Sequence, residues 1–290
     1  MAESLIDLIK ILRDRTGAGL MDCKGALLAN DLDLDKAADW LREKGLAKAA
    51  KKQDRIAAEG LALAVSCEKC GKTVVLEVNC ETDFVAKGDA FREFVEAIAG
   101  VILEKNPKSV EEAKELTSEL FADATVKMGE KFDLRRFTVL EKGNNVIGSY
   151  IHMGGKIAVA VVLDKSEGEL AKQLAMHIAA NNPRYLTMED VPADEREHEL
   201  SVQREAAKND EKLANKPAAV LDKILEGTIN KFFAEMTLEA QPFLMDDSKT
   251  VGQLVKEKGV KILSFVRYAV GEGIEKRKDD FASEVMSQAK

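Results

Sequence analysis

The stretch LALAVSCEKCGKTVVLEV, residues 61–78, decides how the middle of the chain folds. Its two ends, 61–65 and 73–78, are rich in aliphatic and β-branched residues, a composition typical of strands. The polar residues between them include Gly71, so we predict a hairpin. A helix follows, and its apolar face is formed by Phe91, Phe94, Val95, Ile98 and Ile102.

The same plan returns further along the chain. Residues 146–151 and 157–163 predict two strands joined at Gly154-Gly155, and a helix with periodic apolar positions follows. The two copies are about 85 residues apart at the strands but about 80 apart at the helices. The first copy therefore has about five extra residues between its second strand and its helix, and they fall on residues 81–85.

The first 55 residues read as three short helices. Gly17 and Gly19 break the first helix from the second, because glycine supplies the dihedral angles of a tight turn. Asp33 is placed to cap the third helix, and we expect that helix to end at Gly45. Residues 48–55 then read as a helical connector.

The last third of the chain predicts a helical hairpin and a strand. Residues 194–213 are dense in charge, a turn follows at 215–217, and the next residues have apolar positions at helical spacing. Residues 246–250 resemble a loop that ends in a helix cap, and 260–270 alternate like a strand. Residues 279–287 predict a short terminal helix.

These patterns together predict an α+β, multidomain chain. We expect a helical module with its connector at 1–55 and a first core subdomain at 56–143. A related second core subdomain is expected at 144–183 and 238–274, interrupted by the antiparallel helical hairpin at 184–237. A helical module at 275–290 ends the chain.

Composition argues against several classes of function. The net charge is −8, and an acidic chain does not favour direct binding of nucleic acid. Residues 44–55 are locally basic, but we interpret them as a solvated charged helix or linker. No apolar run approaches the ~20 residues that span a bilayer, and the start, Met1-Ala2-Glu3-Ser4, does not resemble a signal peptide. We therefore expect a cytoplasmic protein without a membrane contact, whose four cysteines stay reduced.

The Cys67-Glu68-Lys69-Cys70 motif leaves a zinc or redox site open as an alternative. A structural zinc site needs four ligands, and only Cys80 is a plausible third one. Thioredoxin-like chemistry has its CxxC motif at the start of a helix rather than between strands. We favour ordinary turn residues.

The three histidines do not have metal-ligand spacing. We expect His177 to pack in the core, His198 to be exposed, and His152 to be either a partner contact or an incidental turn residue. No nucleophile elbow, phosphate-binding glycine loop or HExxH motif occurs, so nothing in the sequence argues for an enzyme.

The insertion contains Thr82-Asp83-Phe84-Val85, which we name the 82–85 turn. In one interpretation, Thr82 or Asp83 caps the following helix and Phe84 packs locally. In the other, the turn holds Phe84 outside the core, as an interface anchor beside a carboxylate. Periodicity alone favours the first interpretation.

Several motifs, in order along the chain, resemble those of the elongation factor Ts family. They are RTGAGLMDCK at 15–24, NCETDFVAK at 79–87, GSYIH at 148–152, AMHIAA at 175–180, QPF at 241–243 and VGEGIEK at 270–276. The resemblance covers nearly the whole chain. The Cys67–Cys70 pair does not belong to the general family pattern.

The resemblance implies a guanine-nucleotide exchange factor that speeds GDP release from elongation factor Tu. It implies an N-terminal module similar to ubiquitin-associated (UBA) domains, a core of two related α/β subdomains and a projecting helical hairpin. In the family, Asp83 and Phe84 would wedge between helices of the partner's G domain and disturb its Mg²⁺ site, with Thr82 and Val85 in the same motif.

Two further contacts follow from the same resemblance. His152 matches a partner-contacting histidine, and Leu20 with Met21 match an apolar pair that touches the G domain. The partner is expected in its GDP-bound and nucleotide-free forms, in a 1:1 or 2:2 complex. No metal or cofactor is expected in this chain, since Mg²⁺ and nucleotide belong to the partner. The competing hypotheses are the zinc or redox protein and a structural scaffold whose hairpin mediates oligomerisation.

Overall fold

The computed structural model describes residues 4–52, 54–209, 213 and 216–274, without the side chains of residues 46, 49 and 50. Within those ranges it contains eleven α-helices and three small β-sheets, so the predicted α+β class is confirmed. The described residues of Met1–Glu141, Ile151–Ala158 and Tyr268–Lys290 form one compact unit, and those of Lys142–Tyr150 and Val159–Arg267 form a second.

The first unit begins with three helices, α1 (Leu5–Thr16), α2 (Leu20–Ala29) and α3 (Leu34–Lys51). The Asp33 carboxylate accepts the N–H groups of the first turn of α3, as predicted. The expected end at Gly45 is wrong, because α3 continues to Lys51 and includes the first half of the predicted connector.

Gly45 lies inside α3, where the close packing of another helix requires a residue without a side chain. A β-carbon at this position would lie 2.6 Å from the Val126 side chain and 2.7 Å from the carbonyl oxygen of Ala122. Both residues belong to α7 (Ser118–Met128), so the glycine allows the two helices to approach closely.

The first sheet has the antiparallel order β1 (Glu59–Cys67), β2 (Lys72–Cys80) and β3 (Asp133–Glu141). The hairpin predicted from residues 61–78 is therefore confirmed. The short α4 (Asp83–Ala86) and the long α5 (Asp89–Lys105) follow β2. The apolar face of α5 lies in the same buried cluster as the apolar residues of the sheet. The sequence patterns did not predict α6 (Val110–Leu116), α7 or β3.

The second copy of the plan also forms. Its sheet has the order β4 (Val146–His152), β5 (Ile157–Leu163) and β8 (Ile262–Ala269), and α8 (Leu170–Asn181) follows β5. Residues 81–88 link β2 to α5 and contain α4, whereas the link at 164–169 contains no helix. The first link therefore differs from the second by an added helical turn.

The predicted helical hairpin is α9 (Ala193–Lys208) with α10 (Ala218–Met236). Arg196 bonds to Asn230 and Arg204 to Asp222, so the two helices run antiparallel. The expectation at 246–250, a loop that ends in a helix cap, is wrong for the loop and right for the cap. These residues form strand β7 (Asp246–Thr250) beside β6 (Pro242–Phe243), and Thr250 caps α11 (Val251–Glu257). The terminal helix predicted at 279–287 lies outside the described residues.

Candidate partner-binding site

The 82–85 turn forms the start of α4, at the end of the central strand β2. Thr82 is the N-cap, since its hydroxyl oxygen accepts the N–H of Val85 at 3.4 Å. The capping half of the first interpretation is therefore correct in part, because Thr82 caps the short α4, whereas the long helix α5 begins after Gly88 and has no side-chain cap.

Phe84 does not pack locally, so the other half of that interpretation is wrong. Its side chain is 84% exposed, the largest exposed fraction among the large apolar residues that the structure describes. The next residues turn inward, because Val85 packs against the first unit's core and Ala86 is buried in it. Consecutive helical residues are ~100° apart around the axis, so burying Val85 and Ala86 directs Phe84 outward.

Glu130 holds the start of the turn from another part of the chain. One oxygen of its carboxylate accepts the N–H groups of Glu81 and Thr82, at 3.0 and 3.1 Å. The other accepts the Thr82 hydroxyl at 2.5 Å. The same hydroxyl thus donates to Glu130 and accepts from Val85, which restricts its rotation. No sequence pattern marked Glu130, which follows the glycine that ends α7.

Glu81 braces the turn in the opposite direction. Its carboxylate accepts the N–H of Lys131 at 2.7 Å and pairs with Arg55 at 3.2 Å. Residues 81 and 82 are thus tied to residues 130 and 131 by two carboxylates pointing opposite ways. These charge-assisted bonds make the base of the turn rigid while its tip stays exposed.

Asp83 carries a negative charge beside Phe84. Lys87 donates to its carboxylate at 2.6 Å, and this bond holds the pKa of Asp83 below its ordinary value, with the charge of Lys156 acting in the same direction. The carboxylate is therefore ionised at neutral pH. Because both partners are exposed, the ion pair contributes little to stability and its rearrangement costs little.

His152 lies at the end of β4 in the same compact unit as the turn. It is half-buried, between the exposed side chains of Ile151 and Met153. The backbone after it is attached to the first sheet, because the Gly155 carbonyl accepts the N–H of Ala62 at 2.7 Å. Strand β1 also contacts α4. The 82–85 turn and the hairpin turn that follows His152 therefore both contact β1.

Leu20 and Met21 begin α2, where they are 52% and 77% exposed. They lie beside the separate core of the three N-terminal helices and not on the first sheet. Asp22, the next residue, pairs with Lys44 and Lys48 at 3.1 and 3.5 Å, which neutralises part of the basic stretch 44–55. The structure therefore presents two exposed apolar regions within one unit.

The remaining histidines lie as expected. His177 is fully buried in the second unit, and His198 is exposed on α9.

The zinc alternative fails on geometry, because Cys80 lies at the far end of β2 from Cys67, on the order of 25 Å away. Across the described ranges no group of three or more His, Cys, Asp or Glu side chains is arranged to hold a metal ion. Nor does any helix there have the length and apolar character needed to cross a membrane.

Sequence similarity to known proteins extends over almost the whole chain. The family described as Elongation factor TS matches residues 81–272. The chain is 46% identical to elongation factor Ts of Limosilactobacillus reuteri strain DSM 20016 over 297 residues, which cover 99% of each protein. It is 47% identical to elongation factor Ts of Pediococcus pentosaceus over 296 residues, again 99% of each.

Proposed function

The chain belongs to the elongation factor Ts family, and we propose from that premise how it promotes nucleotide exchange. The family acts as a nucleotide-exchange factor for elongation factor Tu in translation, so the chain is an exchange factor and not a hydrolytic enzyme. Our proposal is that the 82–85 turn enters the partner near its Mg²⁺ and nucleotide site. The exposure of Phe84 on a braced helical turn is the observation that carries it.

Phe84 is suited to act as a wedge. An aromatic ring that is exposed in the free protein gains buried area only when a partner covers it, so its burial favours the complex. Glu81 and Glu130 hold the base of the turn before the partner arrives. Little ordering entropy is then lost on binding, and more of the binding energy remains for displacing groups of the partner.

Asp83 brings a carboxylate to the same place. Mg²⁺ binds carboxylate and phosphate oxygens, and an added negative charge near that site competes with the nucleotide's phosphates. Asp83 is ionised at neutral pH, and the exposed pair with Lys87 orients its carboxylate until then. In this proposal Phe84 displaces partner helices and Asp83 disturbs the electrostatic balance, while Thr82 and Val85 fix the turn.

Two further contacts complete the proposed interface. His152 with its exposed neighbours forms a second point of attachment, and Leu20 with Met21 forms a third on α2. The proposed domain organisation follows the sequence expectation. Residues 1–55 form the UBA-like module, residues 56–143 form one core subdomain, and residues 144–183 with 238–274 form the related subdomain. We propose that 184–237 form the projecting hairpin and 275–290 the C-terminal module. The protein works in the cytoplasm, on GDP-bound and nucleotide-free partner, in a 1:1 or 2:2 complex without nucleic acid or membrane.

Exchange follows from differential binding. If the chain binds nucleotide-free partner more tightly than the nucleotide-bound form, then linkage requires that the chain weaken nucleotide binding by the same factor. Each 1.4 kcal/mol of this coupling changes the nucleotide's affinity about tenfold. A few contacts made only with the nucleotide-free form are therefore sufficient.

The test is the release of fluorescently labelled GDP from elongation factor Tu at increasing concentrations of the chain. Phe84→Ala is expected to lower the maximal release rate by about tenfold or more, since an exposed anchor at an interface contributes about 2 kcal/mol. Asp83→Asn is expected to have a smaller effect in the same direction.

Leu116→Ala is the matched control, because it removes another exposed apolar side chain of the first unit outside the turn. It should release GDP at the unmodified rate, and thermal unfolding of all three variants should match the unmodified chain. A Phe84→Ala variant that accelerates release as fast as the unmodified chain would remove the wedge from the mechanism. Light scattering of the mixture separates the 1:1 from the 2:2 complex and from a homo-oligomer.

A further inference from the structure

The Cys67–Cys70 pair lies at the tip of the β1–β2 hairpin, away from the 82–85 turn at the other end of β2. Cys67 ends β1 opposite Lys72, and Cys70 lies in the tight turn between them. Gly71 has a φ of +62°, and its N–H bonds to the carbonyl of Glu68 at 3.3 Å. The turn brings two thiols together at an accessible edge, since Cys70 is exposed and Cys67 is partly exposed.

The two thiols are chemically unequal. The backbone N–H of Cys70 donates to Cys67 Sγ at 3.2 Å, and the Cys70 thiol donates to the carbonyl oxygen of Cys67 at 3.6 Å. The neighbouring Cys70 thiol and this N–H hold the pKa of Cys67 below its ordinary value, while the neighbouring Cys67 thiol raises the pKa of Cys70. Cys67 is therefore the better nucleophile. Cys70 lies close enough to attack a mixed disulfide that forms on Cys67.

A metal site does not explain this arrangement. A closed zinc site needs four ligands, and the third cysteine that the sequence suggested, Cys80, lies on the order of 25 Å away along β2. A dithiol needs only its two sulfur atoms. The other two cysteines, Cys23 and Cys80, differ from this pair because they are fully buried. Burial raises the pKa of both thiols, to about 12 for Cys80.

We propose that Cys67 and Cys70 form a reversible dithiol–disulfide pair that reacts with low-molecular-weight disulfides such as glutathione disulfide. The Cys67 thiolate attacks one sulfur of glutathione disulfide, which forms a mixed disulfide and releases one glutathione. Cys70 loses its proton and attacks Cys67 Sγ, which forms the intrachain disulfide and releases the second glutathione. The pair loses two electrons and two protons, and the glutathione disulfide gains them.

The sequence itself offers a direct assay. Lys69 lies between the two cysteines, so trypsin places Cys67 and Cys70 on different peptides that only a disulfide joins. The full chain is equilibrated in glutathione buffers of increasing glutathione disulfide content, quenched with acid, alkylated and digested. We expect the linked peptide to appear as the buffer becomes oxidising and to disappear when reductant is added. Cys23 and Cys80 should be alkylated only after denaturation.

Two substitutions test the assigned roles. Cys70→Ser should trap glutathione on Cys67, because the resolving thiol is gone. Cys67→Ser should react with glutathione disulfide more slowly than Cys70→Ser, because the Cys70→Ser chain keeps the backbone N–H of residue 70 that donates to Cys67 Sγ and stabilises its thiolate. Three results would each overturn the proposal: no linked peptide in the most oxidising buffer, equal reactivity of the two single variants, or stoichiometric zinc in the purified chain that protects both thiols.

Discussion

At the scale of single residues, the exposure of Phe84 depends on a carboxylate far away in sequence. Glu130 lies 48 positions from Thr82, yet it accepts three hydrogen bonds from residues 81 and 82. Hydrogen bonds to a charged group are stronger than neutral ones, and here they converge on the two residues before the helical turn. Glu130 is therefore a positioning residue for the 82–85 turn.

We expect Glu130→Ala to lower the GDP-release acceleration by about tenfold, equivalent to about 1.4 kcal/mol, without unfolding the chain. The physical reason is that the turn loses its preorganisation while Phe84 itself is unchanged. Hydrogen–deuterium exchange should show faster exchange of the Glu81 and Thr82 amides, with the centre of β2 protected as before.

Glu130→Gln should lose less than Glu130→Ala, because its amide oxygen still accepts. Glu112→Ala is the matched control, since Glu112 also accepts a backbone N–H in the first unit, that of Lys108 at 2.6 Å. Unchanged amide exchange at Glu81 and Thr82 in Glu130→Ala would show that the carboxylate does not hold the turn.

At the scale of elements, His177 joins α8 to the segment after α10. Its Nε2 bonds to the side-chain oxygen of Gln241 at 2.9 Å, and its Nδ1 accepts the N–H of Leu244 at 3.1 Å. Because Nδ1 accepts, the proton of the neutral ring lies on Nε2, which donates to Gln241. Burial holds the pKa of His177 below its ordinary value, and the Gln241 bond opposes this shift.

This burial predicts a loss of stability in mild acid. As the pH falls through about 6.5, the unfolded chain takes up a proton on His177 that the folded chain does not accept. The free energy of unfolding therefore falls from that pH down to the lower pKa of the folded state, and no further below it. Denaturant unfolding between pH 7.5 and 5.5 measures the effect.

His177→Gln should flatten this pH dependence, although its stability at pH 7.5 will be lower than that of the unmodified chain. His198→Gln, which changes an exposed histidine of α9, should retain the unmodified pH dependence. If His177→Gln keeps the full acid sensitivity, the buried imidazole is not its source.

At the scale of the whole molecule, Glu77 makes a contact between two parts of the chain that are far apart in sequence. It is fully buried on β2, and its carboxylate pairs with Arg135 and Arg136 of β3 at 3.1 and 2.6 Å. The same carboxylate accepts the N–H of Gly271 at 2.8 Å, across 194 positions. Gly271 has a φ of +72°, and a β-carbon there would lie 2.4 Å from the carbonyl oxygen of Ala58. The segment after β8 is therefore fastened to the first sheet.

We expect Glu77→Gln to lower the free energy of unfolding by about 3 kcal/mol, because it leaves two arginine charges without their buried partner. Gly271→Ala should also destabilise the chain, through left-handed backbone strain and the contact with Ala58. Chemical denaturation at neutral pH measures both changes.

Glu141→Gln supplies the comparison for this prediction. It removes an exposed carboxylate that lies 3.7 Å from Lys72, and exposed pairs contribute only about 0–1 kcal/mol. A Glu77→Gln variant no less stable than Glu141→Gln would show that the buried cluster does not fasten this segment.

Much of the fold was predictable because its signals are local. Strands β1 and β2, the apolar face of α5 and the Asp33 cap each follow from residues close together in sequence. The end predicted at Gly45 was wrong because the reason for that glycine lies on α7 and not on its own helix. Strand β3 was missed because its burial pattern is mostly intermediate and lacks a clear alternation.

Local sequence patterns were sufficient to predict the repeated plan and the position of the 82–85 turn in the first copy, and the motifs identified the family. Contacts between distant parts of the chain expose Phe84 and let Glu130 and Glu81 brace the turn from opposite sides, and the local pattern predicts neither. The physical reason is separation along the chain. Periodicity and capping are encoded within a few residues, whereas a carboxylate 48 positions away finds its partners only once the sheet and helices have packed.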